Sequence, residues 1–210
     1  MSKFLDKLIV EFDQGLKSFS SNFLNSNRPY PADEKEHKDM NEFEKNHSIS
    51  LMRVNHTGEV CAQALYRGQG LTAKKNATRA QMKQAAEEEL DHLAWCSRRL
   101  EELGGSTSIL NPMWYVMSFS LGALTGLAGD KLSLAFVEET ENQVVAHLSK
   151  HMERISSKDK KSEAVIKQMR KDEKQHAEQA KEAGASELSE ELKKLMAFVA
   201  RIMTRTSYQI

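Results

Sequence analysis

Two copies of one ligand pattern stand in this chain. Glu59 is followed thirty residues later by Glu89-Leu90-Asp91-His92, and Glu141 is followed thirty-two residues later by Glu173-Lys174-Gln175-His176. On a helix, residues i and i+3 share a face, so each Glu-x-x-His points a carboxylate and an imidazole the same way. Four carboxylates and two imidazoles, with no thiolate among them, suit iron or manganese rather than zinc or copper. Presented by four antiparallel helices to one interior, Glu59, Glu89, His92, Glu141, Glu173 and His176 would hold a carboxylate-bridged pair of metal ions. Glu89 and Glu173 are placed to bridge. Glu59 and Glu141 would be terminal ligands, with one histidine for each metal.

Glu-x-x-His alone is a weak signal, because the chain has four such pairs. Glu34/His37 and Glu44/His47 lie in a polar segment near Pro29 and Pro31, and thirty residues before their glutamates stand Phe4 and Gln14. Only the later two pairs have a partner carboxylate at matched distance. Glu138, one turn before Glu141, is the rival for the third-helix position, and the better match of spacing favours Glu141. His147 and His56 can be relays at the edge of the site or plain structural histidines. His151 reads as a surface residue. Asp91 and Asp172 project away from the ligand face and read as contacts between helices.

The elements that must position these residues follow from the punctuation. Helices are expected over about 48–75, 78–103, 130–156 and 159–183, stopped at Gly104-Gly105 and at Gly184. A fifth, capped by Ser186 or Ser189, runs toward the C terminus. At 1.5 Å per residue, the ligands on successive helices return to similar heights on either side of each turn. Few prolines, abundant helix formers and no sustained strand alternation make the chain all-α. The expected architecture is a ferritin-like four-helix bundle over 47–210, with additional N-terminal, membrane-contacting and C-terminal helices. Before it come an amphipathic helix within 1–24, with Phe4, Leu8, Phe12, Leu16 and Phe19 at helical spacing, and a polar linker over 25–46.

The 30 basic and 30 acidic residues cancel. That argues against a broad electrostatic nucleic-acid binder. Cys61 and Cys96, with no secretory signal ahead of them, read as buried small hydrophobes in a reducing compartment. No glycine-rich dinucleotide fingerprint is present. Residues 113–129 carry no charge, at the lower edge of the length that spans a bilayer. Two readings stand for them: a buried helix crossing the bundle, or a segment dipping into one leaflet with Trp114 and Tyr115 at headgroup level.

Arg53-Val54-Asn55-His56-Thr57-Gly58-Glu59, Glu88-Glu89-Leu90-Asp91-His92-Leu93-Ala94-Trp95-Cys96, Val137-Glu138-Glu139-Thr140-Glu141 and Asp172-Glu173-Lys174-Gln175-His176 together resemble the demethoxyubiquinone hydroxylase family. The likeness covers roughly 45–210, and the segment before it resembles that of bacterial members. The resemblance implies a di-iron monooxygenase using O2, with two iron ions held by the six residues above. It also implies hydroxylation of a polyprenyl methoxy-methyl benzoquinol in ubiquinone biosynthesis, on the cytoplasmic side of a bacterial inner membrane. Peripheral contact would run through 113–129 and 3–24. The reductant (quinol, NADH or a protein partner), self-association and biosynthetic partners stay open. The alternatives are a ferritin- or rubrerythrin-like iron oxidase and a metal-free helical scaffold.

Overall fold

The computed structural model describes residues 6, 10, 11, 13, 15, 26–36 and 38–210. The amphipathic segment expected within 1–24 therefore lies, but for five positions, outside the described residues. So does His37 of the first Glu-x-x-His pair. The described residues form six helices: α1 (Glu42–Thr72), α2 (Asn76–Glu102), α3 (Asn111–Ala128), α4 (Asp130–Arg154), α5 (Lys160–Glu182) and α6 (Glu190–Gln209).

The expected helices are present, with boundaries set by their caps. α1 starts at Glu42, ahead of the expected residue 48, because Asn41 and Glu44 close a reciprocal capping box. This assigns Glu44 a backbone role. Its carboxylate also accepts from Ser156 and Lys158 in the α4–α5 turn. Asp159 caps α5 and Ser189 caps α6 through their side chains. The α1–α2 turn is held from across the bundle, where Asp130 accepts from the backbone N–H groups of Lys74 and Lys75, both at 2.9 Å. The α3–α4 junction turns on Gly129 at φ 136°, a conformation that a side chain would strain.

α1 pairs with α2 and α4 pairs with α5, and the two pairs face each other. Two apolar clusters close the interior. One contains Met52, Trp95, Leu100, Leu148, Ile166 and Met169. The other contains Ala62, Tyr66, Met82, Leu134, Val137 and Ala180. The expected ligands fall between them in every helix, so the polar layer is sealed at both ends by packed side chains. Arg99, itself buried, ties α2 to the start of α5 by donating to Asp159 at 2.7 Å and to Ser162 at 2.8 Å.

The segment expected as a polar linker is packed where it is described. Tyr30 and Ala32 are buried. Ser26 and Asn27 donate to Asp91, and Arg28 donates to Asp172 at 2.7 Å while lying over the Trp95 ring. Polar composition here reflects bonding to acids of the helices, buried Asp91 and partly buried Asp172.

α3 lies on α1, running parallel to it, and the seam is backbone against backbone. A Cβ on Gly68 would run into the Phe119 carbonyl, and one on Gly122 into the Leu65 carbonyl. Thr57 bonds Asn111 at 2.8 Å, and Thr72 bonds the Ala123 carbonyl at 3.0 Å. Trp114 and Tyr115 turn inward and are buried, which corrects their expected place at headgroup level. The outward face is Met113, Val116, Met117, Leu121, Leu124 and Leu127, all exposed. The segment is thus neither buried core nor a span. Among the described residues, no helix is long and apolar enough to cross a membrane.

Candidate metal centre

The six expected ligands lie in the interior, between 0 and 4% exposed. Four of them, Glu59, Glu89, His92 and Glu173, each bring one donor atom to within 4.8 Å of all the others. His92 Nδ1 stands 3.0 Å from Glu89 Oε2, 2.9 Å from Glu173 Oε1 and 3.5 Å from Glu59 Oε2. His176 joins from the other side, its Nδ1 being 3.0 Å from Glu173 Oε2 and 3.5 Å from Glu89 Oε1. Glu89 and Glu173 therefore each face both imidazoles, as bridging ligands must. Glu141 accepts a 2.5 Å hydrogen bond from the Tyr66 hydroxyl, whose proton burial and the surrounding carboxylates hold firmly. Glu138 is only half-buried, whereas Glu141 is sealed, so the geometry favours Glu141.

Each imidazole is fixed through its far nitrogen. His92 Nε2–H donates to Asp172 Oδ2 at 3.1 Å, and His176 Nε2–H donates to Glu88 Oε2 at 2.6 Å. This leaves Nδ1 of both rings directed at the carboxylates, the arrangement in which an outer acid sets a ligand's tautomer and orientation. The bonds are crossed: the acid before the ligand glutamate of one motif holds the histidine of the other. Asp172 is braced in turn by Arg28 and by Gln168, which donates to Oδ1 at 2.8 Å. Burial would raise its carboxyl, but the hydrogen bonds and charges of His92 and Arg28 outweigh it and draw the carboxyl down to about 2. Asp172 thus does more than the plain helix contact expected of it. An acid precedes both expected ligand glutamates in the sequence, but the bond each makes is to the other helix pair.

The charge of the layer points to a cation. Burial and then Glu89 push the Glu59 carboxyl well above its usual range, and burial with Glu173 and Glu89 does the same to Glu141. Burial would discharge His92 and His176, but the facing carboxylates outweigh it and raise both. Glu89 is held low because the two imidazoles overcome its burial. Protons thus gather where positive charge is wanted. Even so, Glu141 Oε2 is buried without a hydrogen bond, and Glu89 Oε1 and Glu173 Oε1 face imidazole Nδ1 atoms at 3.5 and 2.9 Å. Buried carboxylate oxygens in native proteins have partners, and a pair of divalent ions facing them would complete the set. The donor set fits iron or manganese.

The other histidines lie elsewhere. His151 is buried, not on the surface, because its Nδ1 bonds Asn55 at 2.8 Å and its ring lies tilted, 3.9 Å from that of His147. His56 is buried against Asn111 at 3.3 Å. Burial lowers His56 and His147 to about 4, and burial with His147 lowers His151 to about 2. Neither His56 nor His147 is bonded to a ligand residue. Cys96 is buried and Cys61 half-buried, and both are free.

Residues 45–207 match the family model described as "Ubiquinone biosynthesis protein COQ7". The chain belongs to that family. It is 49% identical over 206 residues to the 3-demethoxyubiquinol 3-hydroxylase of Chromobacterium violaceum, covering 98% of this chain and 100% of the relative. It is 52% identical over 210 residues to that of Legionella pneumophila (strain Corby), covering 100% and 99%. Among solved structures, a dodecameric thioferritin from Bacteroides fragilis superposes with a TM-score of 0.55 at 16% identity, over 64% of this chain and 82% of that one. The fold is ferritin-like, and the buried carboxylate–histidine layer of this family member is compatible with a di-iron centre.

Proposed function

We propose that this chain is a 3-demethoxyubiquinol 3-hydroxylase. It introduces one oxygen atom of O2 into the ring of a polyprenyl benzoquinol at a di-iron centre held by Glu59, Glu89, His92, Glu141, Glu173 and His176. The observation that carries the reading is the set of buried carboxylate oxygens facing two imidazole Nδ1 atoms, with Glu141 Oε2 left unbonded, inside a chain whose full-length relatives share that name.

The two irons, when bound, supply the reduction of O2 and the delivery of oxygen to the ring. The chain's own residues prepare for this. Asp172 and Glu88 keep the far nitrogens protonated and so turn Nδ1 inward. Four carboxylates offset the charge of two ferrous ions, so the loaded layer can stay near neutral in a medium where net charge is costly. Tyr66 orients Glu141 and leaves one of its oxygens free. The apolar clusters on either side exclude water that would compete at the site.

A quinol with an isoprenoid tail resides in lipid. The uncharged outward face of α3 supports peripheral attachment to the inner membrane, since an apolar helix face of this kind lies in the headgroup–acyl boundary. It sits on α1, the helix that carries Glu59, so a substrate entering from lipid has a short route to the metal layer.

The direct test is a strain lacking this protein. Its lipid extracts should accumulate demethoxyubiquinone. The parent gene should restore ubiquinone, and Glu173→Ala should not. Ubiquinone at normal levels in the deletion strain would defeat the reading.

A further inference from the structure

A groove of about 680 Å³ opens between α4 and α5, away from the metal layer. Small-molecule sites occupy roughly 300–1,000 Å³. Its apolar wall is Pro31, Val145 and Ala164. Lys167, Arg170, Lys171 and Lys174 form its cationic wall, and no acidic side chain lines it. These four fall at i, i+3, i+4 and i+7, one stripe of α5, where like charges repel. Lys167 and Lys171 are exposed and make no ion pair among the described residues. Lys174 reaches Glu178 at 3.7 Å, and Arg170 donates to Ser149 at 3.4 Å. In a chain of zero formal net charge, this is a local concentration and not a share of general basicity.

We propose that this groove binds a water-soluble organic phosphate of the nucleoside diphosphate class, with its phosphates on the lysine–arginine stripe and its flat part against Pro31, Val145 and Ala164. A concave site with an apolar wall favours a small molecule over the flatter surface of an acidic protein. Position favours a soluble ligand over a lipid headgroup: the groove belongs to the α4–α5 pair, across the bundle from α1, which carries α3. Gln168 lines the groove and donates to Asp172, which holds His92. The ligand therefore lies two hydrogen bonds from a residue of the metal layer.

Titration calorimetry of the full chain with ADP, and separately with inorganic phosphate, tests this without turnover, so its failure leaves the hydroxylase reading untouched. One ADP per chain should bind, at least about tenfold tighter than phosphate, and Lys167→Glu/Lys171→Glu should weaken it by at least about tenfold. Val145→Trp fills the apolar wall from α4 without altering charge. It should weaken ADP while leaving phosphate binding as it was. Circular dichroism matching the parent separates both effects from misfolding. Three outcomes would overturn the proposal: ADP binding no tighter than phosphate, an affinity indifferent to charge reversal, or phosphatidylglycerol vesicles captured through these lysines while ADP is not.

Discussion

The interior of this protein and the outer face of α3 invert the usual distribution of polarity. At the centre of the bundle, four carboxylates and two imidazoles displace the apolar packing that would stabilise the fold most. On α3, six large apolar side chains face outward, while the inward side carries Trp114 and Tyr115 together with Gly122, Gly126, Thr125 and Asn111. Each arrangement costs folding free energy in water. Each becomes favourable with the right surroundings: cations for the first, lipid for the second. The fold keeps them on different helices, since the proposed ligands lie on α1, α2, α4 and α5 and the apolar face lies on α3, which is seamed to α1.

That separation can be broken from either side. The largest effect is expected at the shared bridge. Glu173→Ala should abolish iron retention, read by metal analysis of the purified chain, while helical content and vesicle binding stay intact. The complementary change is Met117→Asp with Leu124→Asp on α3. Vesicle co-sedimentation should fall by on the order of a hundredfold, from two apolar side chains no longer transferred to lipid, while iron content stays at the parent level. Loss of iron in the α3 variant would show that this helix supports the core and would undo the comparison.

Finer changes sharpen the picture within the core. Asp172→Asn and Glu88→Gln each remove the charge behind a ligand histidine, and such changes cost about 10–100-fold in metal affinity. Asp172 should be the more damaging, because Arg28 and Gln168 hold it in place. Glu88 is half-exposed and accepts a hydrogen bond from Gln84 at 2.9 Å. Equilibrium competition with a chelator ranks the two.

The smallest effect is on stability against pH. Without metal, the folded-state pKa values of Glu59, Glu141, His92 and His176 are all raised, so the folded chain binds protons that the unfolded chain releases. Stability of the metal-free protein should therefore fall as pH rises from about 6 to 8. Iron, which replaces those protons, should flatten the trend. The lowered values of His56, His147 and His151 act in the opposite sense. Their contribution is present above the ordinary histidine pKa near 6.5 and is lost as pH falls toward about 4. Melting temperatures of metal-free and iron-loaded protein at several pH values resolve both arms.

The metal-layer residues were legible because i, i+3 spacing on a helix is local and repeats twice. Their heights were legible because helix rise is constant. The residues that escaped depend on how helices cross. Asp172 and Glu88 meet histidines on another helix, and no spacing within one helix reveals such a bond. His151 looked like a surface residue because its partner, Asn55, is ninety-six positions away. The direction of α3 was hidden because the segment carries no charge and has large apolar residues on both faces. Gly122 and Gly126, one turn apart, mark with Thr125 the face that meets α1. The packed part of 26–36 looked like a linker because its polar groups are satisfied by acids of the helices rather than by water.

The crossed holding of His92 and His176 has one more consequence. Neither hairpin contains a finished half of the centre, for each lends a carboxylate to its neighbour's imidazole. Pulling the α1–α2 hairpin from the α4–α5 hairpin would strip both rings at once of the acid at their far nitrogen. Assembly of the metal pocket is thereby tied to closure of the whole bundle.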